Sequence, residues 1–531
     1  MSRRDRRKSK KTMDYSQRVS LLKAKALTEV AQKAWNSGLR YKTVPLLLDA
    51  LRRDPRNPEI LLNLATACGK QRFYKKAEQY LDRLLELKPN KASIHLRVAQ
   101  VYASIDRQER AIECFRRSLQ LKADPAGTLS ALLELARVYE RCHRLDDARG
   151  LLDEALERDP ANAEALLQRA ILDRRSGATD KAESGFRALA TDGARYQHIS
   201  AQAWYELAQL FDDQQRYDQA YDAFVAAKQL LKPQAHKQLQ QVQMTLQKNR
   251  QLLEALDAGT YKRWQAAAEQ DYPCRFAVLT GHPRSGTTLV EQVLDSHEQL
   301  KSADEFDVFQ EWIHAPIFRK FPPGTPVLTI LDNVPAAVRQ QARATYWQQT
   351  EAIFDEPIGE RMLLDKNPGM TIMLPVMNWA FPEMRMLIAL RDPRDVVLSC
   401  FMQKVPLTPI SANWLSLADT AEYYARAMQT WIKVRNLTQS RWLEFRYEDV
   451  VADLEQNARR ILEFLGLPWD ERVLKFYEHA RAKMVRSPTY EDVTRPVYQK
   501  SVGRWQNYAQ QLDPVMARLA PFVKEFGYSE K

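Results

Sequence analysis

The chain has 531 residues, 45% of them hydrophobic, and 79 basic against 67 acidic side chains give it a net charge of +12. That length excludes a single compact core and asks for two or three domains. The charge suits nucleic acid or a polyanionic nucleotide, but no zinc spacing, RNA-binding signature or basic-aromatic run accompanies it, so nucleic acid is not an expected partner. Residues 1–22 open M-S-R-R-D-R-R-K-S-K-K and read as a basic, solubilising tail. No apolar stretch follows, so no secretory signal is expected, and no run of 18 apolar residues predicts a membrane span. The cysteines at 68, 114, 142, 274 and 400 are odd in number and scattered, which fits free thiols in a reducing cytoplasm.

Residues 23–234 carry a repeat. Ala77, Ala111, Ala148, Ala182 and Ala220 each follow a polar turn, and two of the intervals are 34 residues. Thr43 stands in the same phase, and Pro55, Pro89 and Pro160 each lie 12 residues further on. Blocks such as L-L-N-L-A (61–65) and W-Y-E-L-A (204–208) begin the units. The pattern is similar to the tetratricopeptide repeat, which implies an α-helical solenoid of stacked hairpins. In each hairpin the alanine lets two helices approach and the proline stops the second. Residues 235–270 read as a glutamine-rich connecting or capping helix.

From 271 to 531 the text changes. Four apolar runs, Phe276–Thr280, Met362–Asp365, Met386–Leu390 and Trp442–Tyr447, alternate with helical stretches. This predicts an α/β domain with a mostly parallel, P-loop-like sheet whose ligands bind at the strands' carboxyl ends. The first run leads into G-H-P-R-S-G-T-T and then a helix. Strand, small-residue loop and helix start make an anion site. The loop departs from G-x-x-x-x-G-K-[ST], because Thr287 replaces the lysine that holds β- and γ-phosphates. The cation is Arg284 instead.

P-R-S-G-T-T resembles the 5′-phosphosulfate loop of sulfotransferases that use 3′-phosphoadenosine 5′-phosphosulfate (PAPS). The resemblance is closest to protein-tyrosine sulfotransferases and the bacterial repeat-fused enzymes like them. It implies PAPS as co-substrate, adenosine 3′,5′-bisphosphate as product, no metal requirement and a cytoplasmic bacterial enzyme. Arg284, Ser285, Gly286, Thr287 and Thr288 are carried over to the loop's phosphate contacts. A-L-R-D-P-R-D-V-V-L-S resembles the family's 3′-phosphate motif, which implies Arg391 and Ser399 as its grip. Gln403 stands where the family has a second arginine, and Lys404 is the neighbour able to compensate.

The family's base lies 21 residues after the loop arginine, which lands on Glu305. The chemistry asks for such a group, since an attacking hydroxyl must lose its proton. Asp304 reads as a helix cap beside it, and His282 is the second candidate base. L-L-D-K-N-P resembles the family's N-K-D-P, so Lys366 is expected to stabilise charge on the leaving oxygen. F-R-Y-E-D-V carries over Tyr447 as a nucleotide contact. P-T-Y-E-D-V-T-R-P-V-Y-Q-K-S-V-G-R-W is similar to the segment that folds over the adenosine, which adds Thr489 and Arg504. The acceptor implied is a hydroxyl, a protein tyrosine among the candidates, with the repeats as a platform for a peptide or protein. Two other readings stay open. One is a P-loop kinase or hydrolase, for which Asp365 is the best metal ligand. The other is a non-catalytic peptide-binding scaffold.

Overall fold

The computed structural model describes residues 23–191, 197–266, 275–404, 406–482 and 501–529. They divide into two compact units, one comprising residues up to Leu172 together with Gln348–Pro357, the other the remainder.

The first unit is built from helix hairpins, among them Ala24–Asn36 with Thr43–Arg53, Pro58–Lys70 with Tyr74–Leu87, Ala92–Ser104 with Gln108–Gln120 and Pro125–Arg141 with Leu145–Arg158. Ala77, Ala111 and Ala148 are fully buried, as close helix contact requires, and Thr43 fills their place in the first hairpin. Helices ending at Arg53, Leu87 and Arg158 stop just before Pro55, Pro89 and Pro160. The starts are chosen as locally. Asn57 accepts from the amides of Glu59 and Ile60 with Pro58 next in line, and Asp124 accepts from Gly127 ahead of Pro125's helix.

Between the paired helices the chain turns through one left-handed residue, five positions before the repeat alanine or Thr43. These are Gly38, Arg72, Asp106, His143, Gly177 and Gln215. Only two are glycine, so the period is hidden from a glycine count. The other four each accept a strain of about 1 kcal/mol to close the hairpin.

The second unit contains the hairpin Gln197–Asp213 with Tyr217–Leu231, the connecting helix His236–Ala255 and the sheet. The connecting helix has one buried face (Val242, Leu246, Asn249, Leu252), and Asn249 donates to the Ile372 carbonyl at 3.1 Å. The sheet is parallel throughout, and the strand at Phe276–Gly281 lies at its centre. Its strands are β1 (Phe276–Gly281), β2 (Leu300–Ser302), β3 (Met362–Lys366), β4 (Arg385–Leu390) and β5 (Trp442–Arg446). The sequence predicts four of them. The edge strand β2 is missed because three residues, one a lysine, show no period. Tyr447, expected at the last strand's end, instead begins the helix Tyr447–Ala452.

One face of the sheet carries Leu279, Leu364, Leu387 and Phe445 against Val290 and Leu294 of the helix Thr287–Asp295. Phe276, on the other face, meets Tyr346 and Phe381 at ring distances of 5.6 and 5.0 Å. β1 lies at the centre, and the chain winds to both sides of it. That is the switch point at which parallel sheets open a crevice beyond their carboxyl ends.

Candidate functional site

The loop after β1 is shaped by close approach. A Cβ on Gly281 would lie 2.3 Å from the Ala389 carbonyl oxygen of β4, and one on Gly286 would lie 2.5 Å from Cδ2 of Tyr447. Gly286 also has φ +88°, a left-handed value open to glycine. Arg284 adopts φ +74° without that freedom, so its backbone is strained in the middle of the loop. Gly286→Ala is expected to cost about 1–3 kcal/mol of stability through both strain and overlap. An earlier denaturant midpoint would show it; an unchanged midpoint would mean that Tyr447 swings clear.

Around this loop the structure gathers most of the residues expected at the phosphates. Arg284 Nε donates to Ser399 Oγ at 3.1 Å, and Arg391 Nη1 donates to the Arg284 carbonyl at 3.0 Å. The Arg391 guanidinium lies 4.9 Å from the centre of the Tyr447 ring. Ser285, Thr287 and Thr288 are buried at the helix start. Arg391 is itself buried, and its Nε has no hydrogen-bond partner among the described residues. An orphan charged donor beside a helix N-terminus fits an anionic ligand, which would satisfy it.

Both pairings that a plain helix start would make are also present, but neither is on the surface. Asp392 and Arg394 form a buried pair at 2.7 Å, and Arg391 lies 3.8 Å from Asp395. Asp395 accepts from the amides of Gly503 and Trp505, both at 2.8 Å, and Arg391 Nη2 donates to the Ser501 carbonyl. Residues 501–505 are thus held against Arg391 and the helix that follows it, Pro393–Phe401. Burial raises the Asp395 carboxyl above its ordinary range, against the opposing pull of Arg391 and the two amides.

The second cluster stands at the ends of β2 and β3. Lys366 is fully buried, with Nζ 3.1 Å from Glu291, 3.1 Å from Asp304 and 2.9 Å from Glu305. Burial opposes its charge, but the three carboxylates outweigh burial and hold the ammonium well above the usual lysine range. Ser302 ties the cluster together. Its hydroxyl donates to Glu291 at 2.7 Å and accepts from the Asp304 amide at 3.1 Å. The carboxylates differ in access: Glu291 is 0% exposed, Asp304 20% and Glu305 43%.

Several expectations change here. Asp304 is not a helix cap: its carboxylate faces Lys366, its φ is +48°, and the next helix begins with the π-turn Phe309–His314. His282 is unsuited to meet an acceptor. It is fully buried, Nδ1 lies 2.9 Å from the Pro283 carbonyl, and burial lowers its pKa to about 4. Asp365 points away from Lys366 into the aromatic face, where it accepts from the Tyr346 hydroxyl at 2.6 Å and burial lifts it to about 7. Asp365 is thus committed to Tyr346 on the aromatic side of the sheet. Lys404 does not replace the missing arginine, because Nζ pairs with Glu206 at 3.1 Å. Arg504 forms an ion pair with Asp212. Thr489 lies outside the described residues.

Glu291 and Asp212 escaped sequence reading. Glu291 stands in L-V-E-Q-V-L, and a lone acid among the apolar residues of a helix start was the available signal. Among the described residues no helix is long and apolar enough to cross a membrane, and no His/Cys/Asp/Glu group is placed to hold a metal ion.

Residues 277–471 match the family model described as "Sulfotransferase family". Tetratricopeptide repeat models match residues 62–127, 129–172 and 201–230. An uncharacterized protein of Aquifex aeolicus (strain VF5) is 23% identical over 411 residues, covering 75% of this chain and 51% of its own. Protein-tyrosine sulfotransferase 2 of Gallus gallus is 25% identical over 267 residues, covering 47% of this chain and 68% of its own. The chain thus spans about half the length of the first of these relatives. Among solved structures, the sulfotransferase domain of the Synechococcus PCC 7002 olefin synthase is 20% identical, with a TM-score of 0.35, over 50% of this chain and 99% of that one. The matched family models thus place tetratricopeptide repeats within residues 62–230 and a sulfotransferase-family match at residues 277–471.

Proposed function

We propose that the chain transfers a sulfuryl group from PAPS to a hydroxyl acceptor. The observation that carries this reading is the pairing of two clusters at adjacent strand ends. One is an arginine-rich phosphate cradle without the nucleotide-triphosphatase lysine. The other is a buried lysine beside an exposed carboxylate, Glu305.

In this reading the loop amides, Arg284, Ser399 and Arg391 hold the nucleotide's phosphates, with Tyr447 packed on the glycine that lets the loop close. PAPS supplies an activated sulfur bonded to a bridging phosphate oxygen. Glu305 takes the acceptor's hydroxyl proton as its oxygen bonds to sulfur. Lys366 stabilises the charge that appears on the bridging oxygen as the old sulfur–oxygen bond breaks. Lys366 donates to Glu305 at 2.9 Å, while Glu291 and Asp304 lie within ion-pair distance. Movement of the exposed Glu305 toward an acceptor therefore frees one lysine donor for the leaving oxygen.

A protein tyrosine is the acceptor that the relatives' names suggest. The repeats would serve as its platform. A cleft of about 90 Å³ between the first two hairpins, lined by Gln32, Trp35, Asn63 and Lys70 among others, offers ring, amide and charge to an extended peptide. The free thiols of Cys68, Cys114, Cys142 and Cys400 fit work in the cytoplasm.

Calorimetry with adenosine 3′,5′-bisphosphate in magnesium-free buffer tests the nucleotide reading. Arg284→Ala and Arg391→Ala should each weaken binding by about 1.5–3 kcal/mol, roughly 10- to 150-fold, as charge-assisted contacts to phosphate are lost. Unchanged affinity in both variants removes the assignment. Label transfer from ³⁵S-PAPS to a panel of tyrosine peptides, phenols and sugars then identifies the acceptor class.

A further inference from the structure

The last repeat hairpin contacts residues Arg504, Tyr508 and Gln511. Asp212 stands in the last turn of the helix Gln197–Asp213. An acid in a last helical turn is disfavoured by the helix dipole, so it needs a partner elsewhere. It has two. Arg504 forms an ion pair with one carboxylate oxygen, and the Tyr508 hydroxyl donates to the other at 2.6 Å. Around this pair, Gln511 donates to Asp218 at 2.6 Å and the Tyr217 ring meets the Tyr508 ring edge-on at 5.3 Å.

The opposite side of the same segment is held by the Arg391 helix, through Asp395 to the Gly503 and Trp505 amides and through Arg394, whose guanidinium lies 3.7 Å from the centre of the Trp505 ring. Ser501 closes the connection by accepting from Arg391 itself. A second tie runs in parallel. Glu206, from the same repeat helix as Asp212, pairs with Lys404, and Lys228 of the partner helix donates to the Gln403 carbonyl at 3.4 Å. The turn after the helix Pro393–Phe401 and the segment packed against that helix are therefore both anchored on one hairpin.

We infer that Asp212 is a positioning residue for nucleotide binding. It fixes Arg504 and Tyr508, these fix the Ser501 carbonyl, and that carbonyl sets the direction of the Arg391 guanidinium. The inference rests on the nucleotide reading of Arg391. It reassigns Arg504 from phosphate ligand to latch.

A double-mutant cycle on the full chain separates the alternatives, with adenosine 3′,5′-bisphosphate as probe. Asp212→Ala should weaken its binding roughly tenfold. Arg504→Ala should do the same, and the double variant should be no weaker than either single one, because both break one latch. Turnover at saturating PAPS should stay within about twofold, since no group that touches the reacting atoms is altered. Hydrogen exchange should quicken at the 503–508 amides in Asp212→Ala without nucleotide. Should Asp212→Ala fold poorly, Tyr508→Phe removes one arm of the latch and keeps the ring contact, and about a threefold loss is expected. Losses that add in the double variant overturn the latch and return Arg504 to the phosphate. Unchanged affinity in Asp212→Ala beside a clear loss in Arg391→Ala overturns the latch alone. Failure of the unaltered chain to bind the probe overturns the latch and the nucleotide reading together.

Discussion

Lys366→Met is expected to lower turnover by roughly 10²–10³, the range seen when one preorganised donor to a developing anion is removed. It should also weaken the fold, and the two effects can be told apart. Removing the lysine strands three carboxylates, and Glu291 is completely buried. Breaking a buried pair from one side costs about 3–5 kcal/mol. The stranded acids would bind protons more tightly in the folded state than in the unfolded one. Folded-state pKa values raised in that way make stability fall as pH rises through the carboxylate range. Lys366→Met should therefore be markedly more stable at pH 5 than at pH 8, by chemical denaturation. Adding Glu291→Gln should recover much of the stability, because the neutral amide can still accept from Ser302. It should recover none of the turnover. If the double variant regains activity as well, Lys366 only neutralises Glu291, and the leaving oxygen is stabilised elsewhere.

The sequence makes some of this legible because a parallel sheet concentrates its chemistry at strand ends. Gly281, Lys366 and Arg391 each stand at or just past the end of an apolar run, so locating three runs places three candidates near one crevice. Gly286 and Arg284 are legible through the loop's spacing. What stays hidden is pairing across distance. Lys366 meets Glu291 of a helix, Asp304 of a loop and Glu305 beside it, and no period links those positions. Asp212 and Arg504 are 292 residues apart, and each alone looks like an ordinary surface charge. Burial is equally silent in the text. His282 reads as a spare base until the rings of Tyr423 and Tyr424 are seen against it, at 5.7 and 5.1 Å. The six turns of the repeat array show the same limit from the other side, because four of them close through residues that sequence rules would not choose.

Glu305→Gln is expected to lower turnover by about 10²–10⁴, the loss typical of a missing general base. The amide keeps the shape but cannot take a proton from the acceptor. Access decides between the three acids around Lys366. Glu291 has no exposed surface, Asp304 little, and Glu305 is the most open to an incoming hydroxyl. Asp304 now has a different expected role from that of a cap. Asp304→Asn removes one of the charges that hold Lys366, so a milder drop is expected, with the loss growing at high pH where the lysine is less firmly protonated. Nucleotide affinity should barely change in Glu305→Gln, since the phosphates are assigned to Arg284, Arg391 and the loop amides. An acceptor that is already ionised, such as a nitrophenol well above its own pKa, needs no base and should lose far less in this variant than a tyrosine peptide does. Equal losses on both acceptors would mean that Glu305 acts by holding Lys366 and not by moving a proton. If Asp304→Asn abolishes turnover while Glu305→Gln leaves it intact, the base is Asp304, and its strained backbone at φ +48° is what aims it.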